Sequence, residues 1–130
     1  MIIQPATTTN DNKNVCPTGW HVPTDAEWTV LTNYLGGQGI AGGKMKEVGT
    51  ASWNSPNMES NNVSLFTGLS GGVRSNHGSY ESIGNGGVWW SSMDYNAISA
   101  WHLSLGSSNG GVGRYHDKKG GGLSIRCLKD

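Results

Sequence analysis

A chain of 130 residues makes about one domain, long enough to bury most of its apolar surface around a single core. Nine basic and nine acidic residues cancel to a formal charge of zero, and no Lys or Arg cluster interleaves with aromatics as a phosphate-tracking surface requires, so no nucleic acid partner is expected. No run approaches the roughly 20 apolar residues that cross a bilayer, which argues against direct membrane insertion, and the opening Met1, Ile2, Ile3, Gln4, Pro5 lacks a signal-peptide pattern.

Twenty-one glycines and six tryptophans stand beside one Phe. Glycine at this level weakens helix and strand alike, whereas each indole brings a large rigid contact surface, so the expectation is a loop-rich fold pinned by a few tryptophans. Residues 1–14 are rich in Thr, Asn and Asp and read as a flexible or edge-packed lead-in to a single domain over 15–130. Cys16, Pro17, Thr18 and Gly19 form a turn; Trp20, His21 and Val22 form a short strand that Pro23 stops. Thr24 followed by Glu27 has the capping-box spacing. Trp28, Leu31 and Leu35 then share one helical face until Gly36 and Gly37 end the helix. A shorter helix is expected over 41–47, with Met45 and Val48 spaced to pack.

Residues 51–62 read as a long ordered loop held by Trp53, after which Leu65, Phe66 and Leu69 return the chain to the core. Short strands are expected over 72–74, 88–92, 100–105, 111–115 and 122–128, separated by Gly-, Ser- and Asn-rich turns. Helices early and antiparallel strands late define an α+β class. In the strand over 100–105 the large apolar Trp101, Leu103 and Leu105 alternate with His102 and Ser104. Alternation places the first set toward a core and leaves the second set free to meet a partner.

The run Cys16, Pro17, Thr18, Gly19, Trp20, His21, Val22, Pro23, Thr24, Asp25, Ala26, Glu27, Trp28 resembles the signature of the Fibrobacter succinogenes major paralogous domain. Later landmarks follow in the same order: Gly43, Lys44, Met45, Lys46 and Glu47; Phe66, Leu69, Gly71, Gly72 and Arg74; Trp89, Trp90, Ser91 and Ser92; and Ser124, Ile125, Arg126 and Cys127. The resemblance covers the chain from about Val15 to its end. It implies a C-type lectin-like fold of the kind elaborated in formylglycine-generating-enzyme-like domains: two helices early, then a small, mainly antiparallel sheet with long loops. The family's further amino-terminal section, with its own strands and Trp, is not visible in residues 1–14. Within such a fold Cys16 and Cys127 flank neighbouring terminal strands, so they form a disulfide in an oxidising compartment or stay as reduced packing residues in a reducing one.

Enzymatic readings lack support. Formylglycine-generating enzymes use an active-site cysteine pair, and both cysteines here are claimed by the domain's ends. No Ser–His–acid arrangement and no paired carboxylates stand out, and neither the Glu-Pro-Asn nor the Trp-Asn-Asp pattern of calcium-dependent lectins occurs. His102 and His116 on adjacent strands, with Asp117 nearby, form a weaker candidate metal cluster; solvated polar surface is the plainer reading. His21 reads as a structural hydrogen-bonding residue and His77 as a turn residue. No cofactor is implied.

A binding module remains, an expectation rather than a derivation, with its surface at the carboxy-terminal end: Asp94, Tyr95, Asn96, Ile98, Ser99, His102, Ser104, Ser107, Ser108, Asn109, Tyr115, His116, Asp117 and Lys118. Tyr set among Ser, Gly and Asn is the composition of antibody paratopes, although the same small residues serve ordinary turns. This tail also resembles the variable region of target proteins of diversity-generating retroelements, in which adenine-directed changes of Asn codons yield Ser, Asp, Tyr, His, Gly and Ile. On that resemblance Trp101, Leu103, Leu105, Val112, Arg114, Ile125 and Arg126 are fixed scaffold, the partner is a protein or glycan target, and the setting is extracellular or at a cell surface. A fixed-ligand adhesive domain is the competing reading, and an enzyme of unrecognised chemistry the third. The chain admits oligomerisation without specifying it.

Overall fold

The helix that Thr24 and Glu27 predict is the first long element of the computed structural model, which describes residues 2–3 and 15–130. Helix α1 (Asp25–Tyr34) starts on a reciprocal cap: the Glu27 N–H donates to Thr24 Oγ1 at 3.1 Å, and the Thr24 N–H donates to Glu27 Oε2 at 2.8 Å. It ends where Gly36 and Gly37 take left-handed φ angles of 107° and 97° and the Gly37 N–H reaches back to the Thr32 carbonyl. Trp28 and Leu35 enter the core from this helix, and Leu31 packs against it.

Helix α2 (Ala41–Met45) is shorter than the expected 41–47. The Glu47 N–H and the Met45 carbonyl are taken by Gly68, through a parallel bridge between Lys46 and Gly68 that pulls the chain out of helix. Val48 is consequently exposed rather than packed.

Three small sheets follow. β5 (Gly86–Asp94), β6 (Ser99–Gly106) and β7 (Gly113–Lys118) form an antiparallel meander. A second sheet has the order β1 (Ile2–Ile3), β8 (Gly122–Leu123), β3 (Val73–Arg74), β4 (Tyr80–Glu81), and β2 (Trp20–His21) pairs with β9 (Leu128–Lys129). The architecture is a mixed, loop-rich α+β one with two helices among the described residues. Apart from the backbone of β1, the lead-in expected over 1–14 lies outside the described residues.

Several strand expectations are corrected. The strand expected over 122–128 divides into β8 and β9, because between them Ser124 forms a parallel bridge with Trp89, its carbonyl accepting from the Trp90 N–H and its N–H donating to Val88. The strand expected over 111–115 lies at Gly113–Lys118, and β4 was not anticipated. Of the three residues expected to re-enter the core near 65–69, only Phe66 does so. Its ring meets Trp28 and Trp89 edge-on at 5.9 and 5.4 Å, while Leu65 and Leu69 are exposed.

The meander is covered on both faces. Trp89, Leu103 and Leu105 face α1 and α2 in one cluster with Trp28, Leu35, Met45, Trp53 and Phe66. Trp90 and Ala100 face the other way and meet Leu123, flanked by Val73, Val88 and Ile125. Register fixes these rows: Trp89 lies opposite Leu103, which lies opposite Arg114, and Trp90 opposite His102, which lies opposite Tyr115.

A buried cation ties the loops at one end of the meander. Lys46 is wholly buried, and its ammonium donates to the carbonyls of Met58 at 2.7 Å, Gly106 at 2.9 Å and Asn109 at 2.9 Å, close to the Trp53 ring. Burial lowers its pKa from the ordinary lysine value, and Glu59 opposes that shift. α2 approaches the same turn so closely that a Cβ on Gly42 would fall on the Gly111 carbonyl, which explains the paired glycines before Lys44.

At the opposite margin Cys16 and Cys127, 111 positions apart, are joined by a disulfide beside β2 and β9. Replacing both by Ser is expected to lower the unfolding free energy by about 2–5 kcal/mol in a urea titration, because the bond closes nearly the whole chain; an unchanged midpoint would show that β2–β9 pairing holds the ends alone. Lys46→Met is expected to lose on the order of 3 kcal/mol, since three part-buried carbonyls lose a charged donor. Its urea midpoint checks this, and a loss within about 0.5 kcal/mol, the range of ordinary surface changes, would contradict it.

Candidate functional site

The turn between β5 and β6 and the far end of β7 build an exposed aromatic group. Asn96 shapes the turn: its Oδ1 accepts from the N–H groups of Ile98 at 3.0 Å and Ser99 at 2.9 Å. The turn carries Tyr95 over β7, where its ring stacks on His116 with centroids 3.6 Å apart and planes inclined by 4°. Both rings meet Trp101 edge-on, at 5.1 and 5.6 Å, and the Arg114 guanidinium lies over the Trp101 ring at 3.7 Å. Asp25 at the start of α1 fixes that guanidinium, accepting from Nε at 2.7 Å and from Nη2 at 2.6 Å. A second ion pair, Lys119 with Asp94 at 2.9 Å, fastens the end of β7 to the end of β5. Met93, Tyr95, Ile98 and Tyr115 are 47%, 48%, 64% and 63% exposed in this region, a concentration of large apolar side chains of the kind that marks interaction surfaces.

The structure gathers Asp94, Tyr95, Asn96, Ile98, His116 and Lys118 at this end, with Tyr115 and Asp117 on the reverse face of the same strand. It does not gather the rest. Ser107, Ser108 and Asn109 lie past the other end of β6, about 26 Å from Ser99 at the usual strand rise. There Ser107 is buried, with its backbone bonded to Asn85 and Met58, and Asn109 Oδ1 closes a local turn on the Gly111 N–H. Ser99 is buried at the start of β6, and Ser104 is half-buried between Val88 and Gly113.

His102 corrects the expectation of a free second face. Trp90 packs edge-to-face on it at 6.2 Å, only 8% of the residue is exposed, and its Nδ1 is buried with no hydrogen-bond partner. Burial holds its pKa below the ordinary 6.5, with Asp117 opposing and His116 adding to the shift. The suggested His102–His116 metal cluster also fails. His116 lies opposite Trp101 and His102 opposite Tyr115, so the two imidazoles leave opposite faces of the sheet. Among the described residues no three His, Cys, Asp or Glu side chains gather as a metal set.

Trp101 and Arg114, assigned to scaffold from the sequence, therefore belong to the exposed group, as does Lys119. Their alternation with His102 and Tyr115 was a readable signal for a shared face, but nothing in the sequence announced Asp25, which arrives 89 positions away. Beside the aromatic group, α1 and the β6–β7 hairpin enclose an open cleft of about 460 Å³, with Asp25, Thr29, Thr32, Asn33, Gln38 and Arg114 as polar lining and Trp28, His102, Leu103 and Val112 completing it.

The setting of a second histidine favours its charged form. His21 in β2 has Asp130 Oδ1 2.6 Å from Nδ1 and Glu27 Oε1 3.0 Å from Nε2. Only the doubly protonated ring donates to both. The hydrogen bond with Asp130, and next that with Glu27, raises its pKa above 6.5.

The fold and the site thus define an α+β domain that carries a preformed aromatic group beside a cleft. The model of the Fibrobacter succinogenes major domain matches residues 6–129, and the chain belongs to that family. The match begins at residue 6, ahead of Val15, from which the resemblance extends. No curated protein and no solved structure matches the chain. Among the described residues no helix is long and apolar enough to cross a membrane.

The two histidines titrate with opposite consequences. His102 favours folding when neutral, so its contribution is present above pH 6.5 and is lost as the pH falls toward its lowered folded-state pKa; His21 contributes below pH 6.5 and loses that contribution as the pH rises through its raised value. Imidazole NMR titration is expected to place His102 below 6.5 and His21 above it, and the reverse order would contradict both assignments.

Proposed function

We propose that this domain is a ligand-recognition module, not an enzyme, whose contact surface is the Tyr95–His116 stack with its Trp101 and Arg114 support. The observation that carries this reading is the stack itself. Two half-exposed rings are held parallel at 3.6 Å on a buttress of Trp101, Arg114 and Asp25, so their contact area is offered with little ordering left to lose on binding. Ile98 and Lys118 extend the surface around them. The partner is a protein or glycan outside the cell, and the Cys16–Cys127 bond favours such an oxidising setting.

In its sharper form the reading is a C-type lectin-like domain diversified by a retroelement. It is supported by the way exposed Tyr95, Asn96, Ile98 and His116 stand beside less exposed Trp101, while Tyr115 and Asp117 are exposed on the reverse face of β7. Burial removes Ser99, His102 and Ser107 from the set of changeable positions. A near-identical template repeat and a reverse transcriptase gene beside the coding locus are expected; their absence would leave a fixed-ligand adhesive domain.

Tyr95→Ala with His116→Ala is expected to abolish capture of a partner identified on protein and glycan arrays while moving the thermal midpoint by no more than a surface substitution does. Full retention of binding would remove the stack from the site. Trp101→Ala is expected to weaken binding and also to cost stability, by less than the roughly 3–5 kcal/mol of a fully buried Trp because the ring is only partly covered.

A further inference from the structure

We propose that the cleft between α1 and β7 is a separate binding site for one uncharged sugar ring of pyranoside size. Its volume of about 460 Å³ falls within the roughly 300–1,000 Å³ of small-molecule sites. The charge in it is already balanced. Arg114 meets Asp25 through both Nε and Nη2, so neither an anion nor a cation finds an uncompensated partner. A wholly apolar occupant would suit the floor of Trp28, Leu103 and Val112 but would cover the ion pair and the rim amides without replacing their water, so the lining favours a ligand with both an apolar face and a polar rim.

What the cleft lacks is partners for its amides. Asn33 near the end of α1 and Gln38 in the turn after it line the cleft, are exposed, and make no side-chain hydrogen bond with any described residue. Each presents one acceptor and a two-proton donor. The Asp25 carboxylate has acceptor capacity beyond its two arginine contacts. The hydroxyls of Thr29 and Thr32 donate to the Asp25 and Trp28 carbonyls at 3.0 and 2.9 Å, leaving their lone pairs to accept. Donors and acceptors thus ring a floor of Trp28, Leu103 and Val112. A sugar ring has the matching distribution, with hydroxyls that both give and take hydrogen bonds around its rim and C–H groups on its face.

The site is independent of the Tyr95–His116 stack. Arg114 stands between them, its plane over Trp101 and its edge on Asp25, and either site can fail without the other.

The test is titration of the ¹⁵N-labelled domain with the methyl pyranosides of glucose, galactose, mannose and N-acetylglucosamine, reading the side-chain amides of Asn33 and Gln38 and the Arg114 Nε–H. At least one glycoside is expected to shift these signals saturably, with affinity in the millimolar range. Asn33→Ala with Gln38→Ala is expected to weaken it about tenfold or more. Both side chains are exposed and unbonded, so the fold should persist, which the dispersion of the spectrum verifies. Tyr95→Ala with His116→Ala is expected to leave glycoside binding unchanged. No saturable shift with any of the four sugars, or affinity that survives loss of both amides, would overturn the proposal.

Discussion

The ammonium of Lys46 stands where three stretches of chain meet. Its three carbonyl partners come from the long loop after α2, from the end of β6 and from the turn that follows. In a fold with so many glycines these segments have little regular hydrogen bonding of their own, and a charge buried beside three oriented carbonyls supplies charge-assisted bonds that neutral donors would not match. The cost of desolvating it is visible in the lowered pKa. The close seating of Gly42 on Gly111 and the buried Trp53, whose indole N–H donates to Gly68 at 2.9 Å, complete the same junction. With that end of the meander fastened from inside, and the chain ends joined by a disulfide, the β5–β6 turn is left projecting at the opposite end.

That division explains where the exposed aromatic side chains gather. A projecting turn between tightly covered strands contributes side chains whose positions are set by the sheet, and here the register delivers His116 beneath Tyr95 and Arg114 onto Trp101. Asp25 extends the arrangement across to α1. The aromatic surface and the cleft thus share one ion pair as a wall. β7 is an edge strand of the meander, and its charged Arg114, Asp117 and Lys118 discourage edge-to-edge pairing with other strands.

Much of this was legible. The capping box at Thr24 and Glu27, the helix stop at Gly36, the core roles of Trp28 and Phe66 and an aromatic group near Tyr95 and His116 follow from local chemistry, and the family from the resemblance of the Cys16–Trp28 run to its signature. Local rules failed where a choice depended on what lies above the strand. Alternation separates His102 from Leu103, but only the presence of Trp90 and the second sheet decides that the His102 side is covered as well. The division of the last strand has the same origin, since Ser124 is drawn to Trp89 by a partner more than thirty positions away.

Composition and spacing by themselves determined an α+β domain with a capped first helix, glycine-rich turns, alternating late strands and a tail rich in Tyr, Ser, Asn and Gly, because capping, turn conformation and alternation are properties of neighbouring residues. Only the tertiary structure decided which alternating residues reach solvent, which serines are separated from the surface by the length of β6, and that Asp25 and Arg114 wall a cleft. Those outcomes depend on burial and on pairing across the sheet, and both are set by residues distant in sequence that no local pattern encodes.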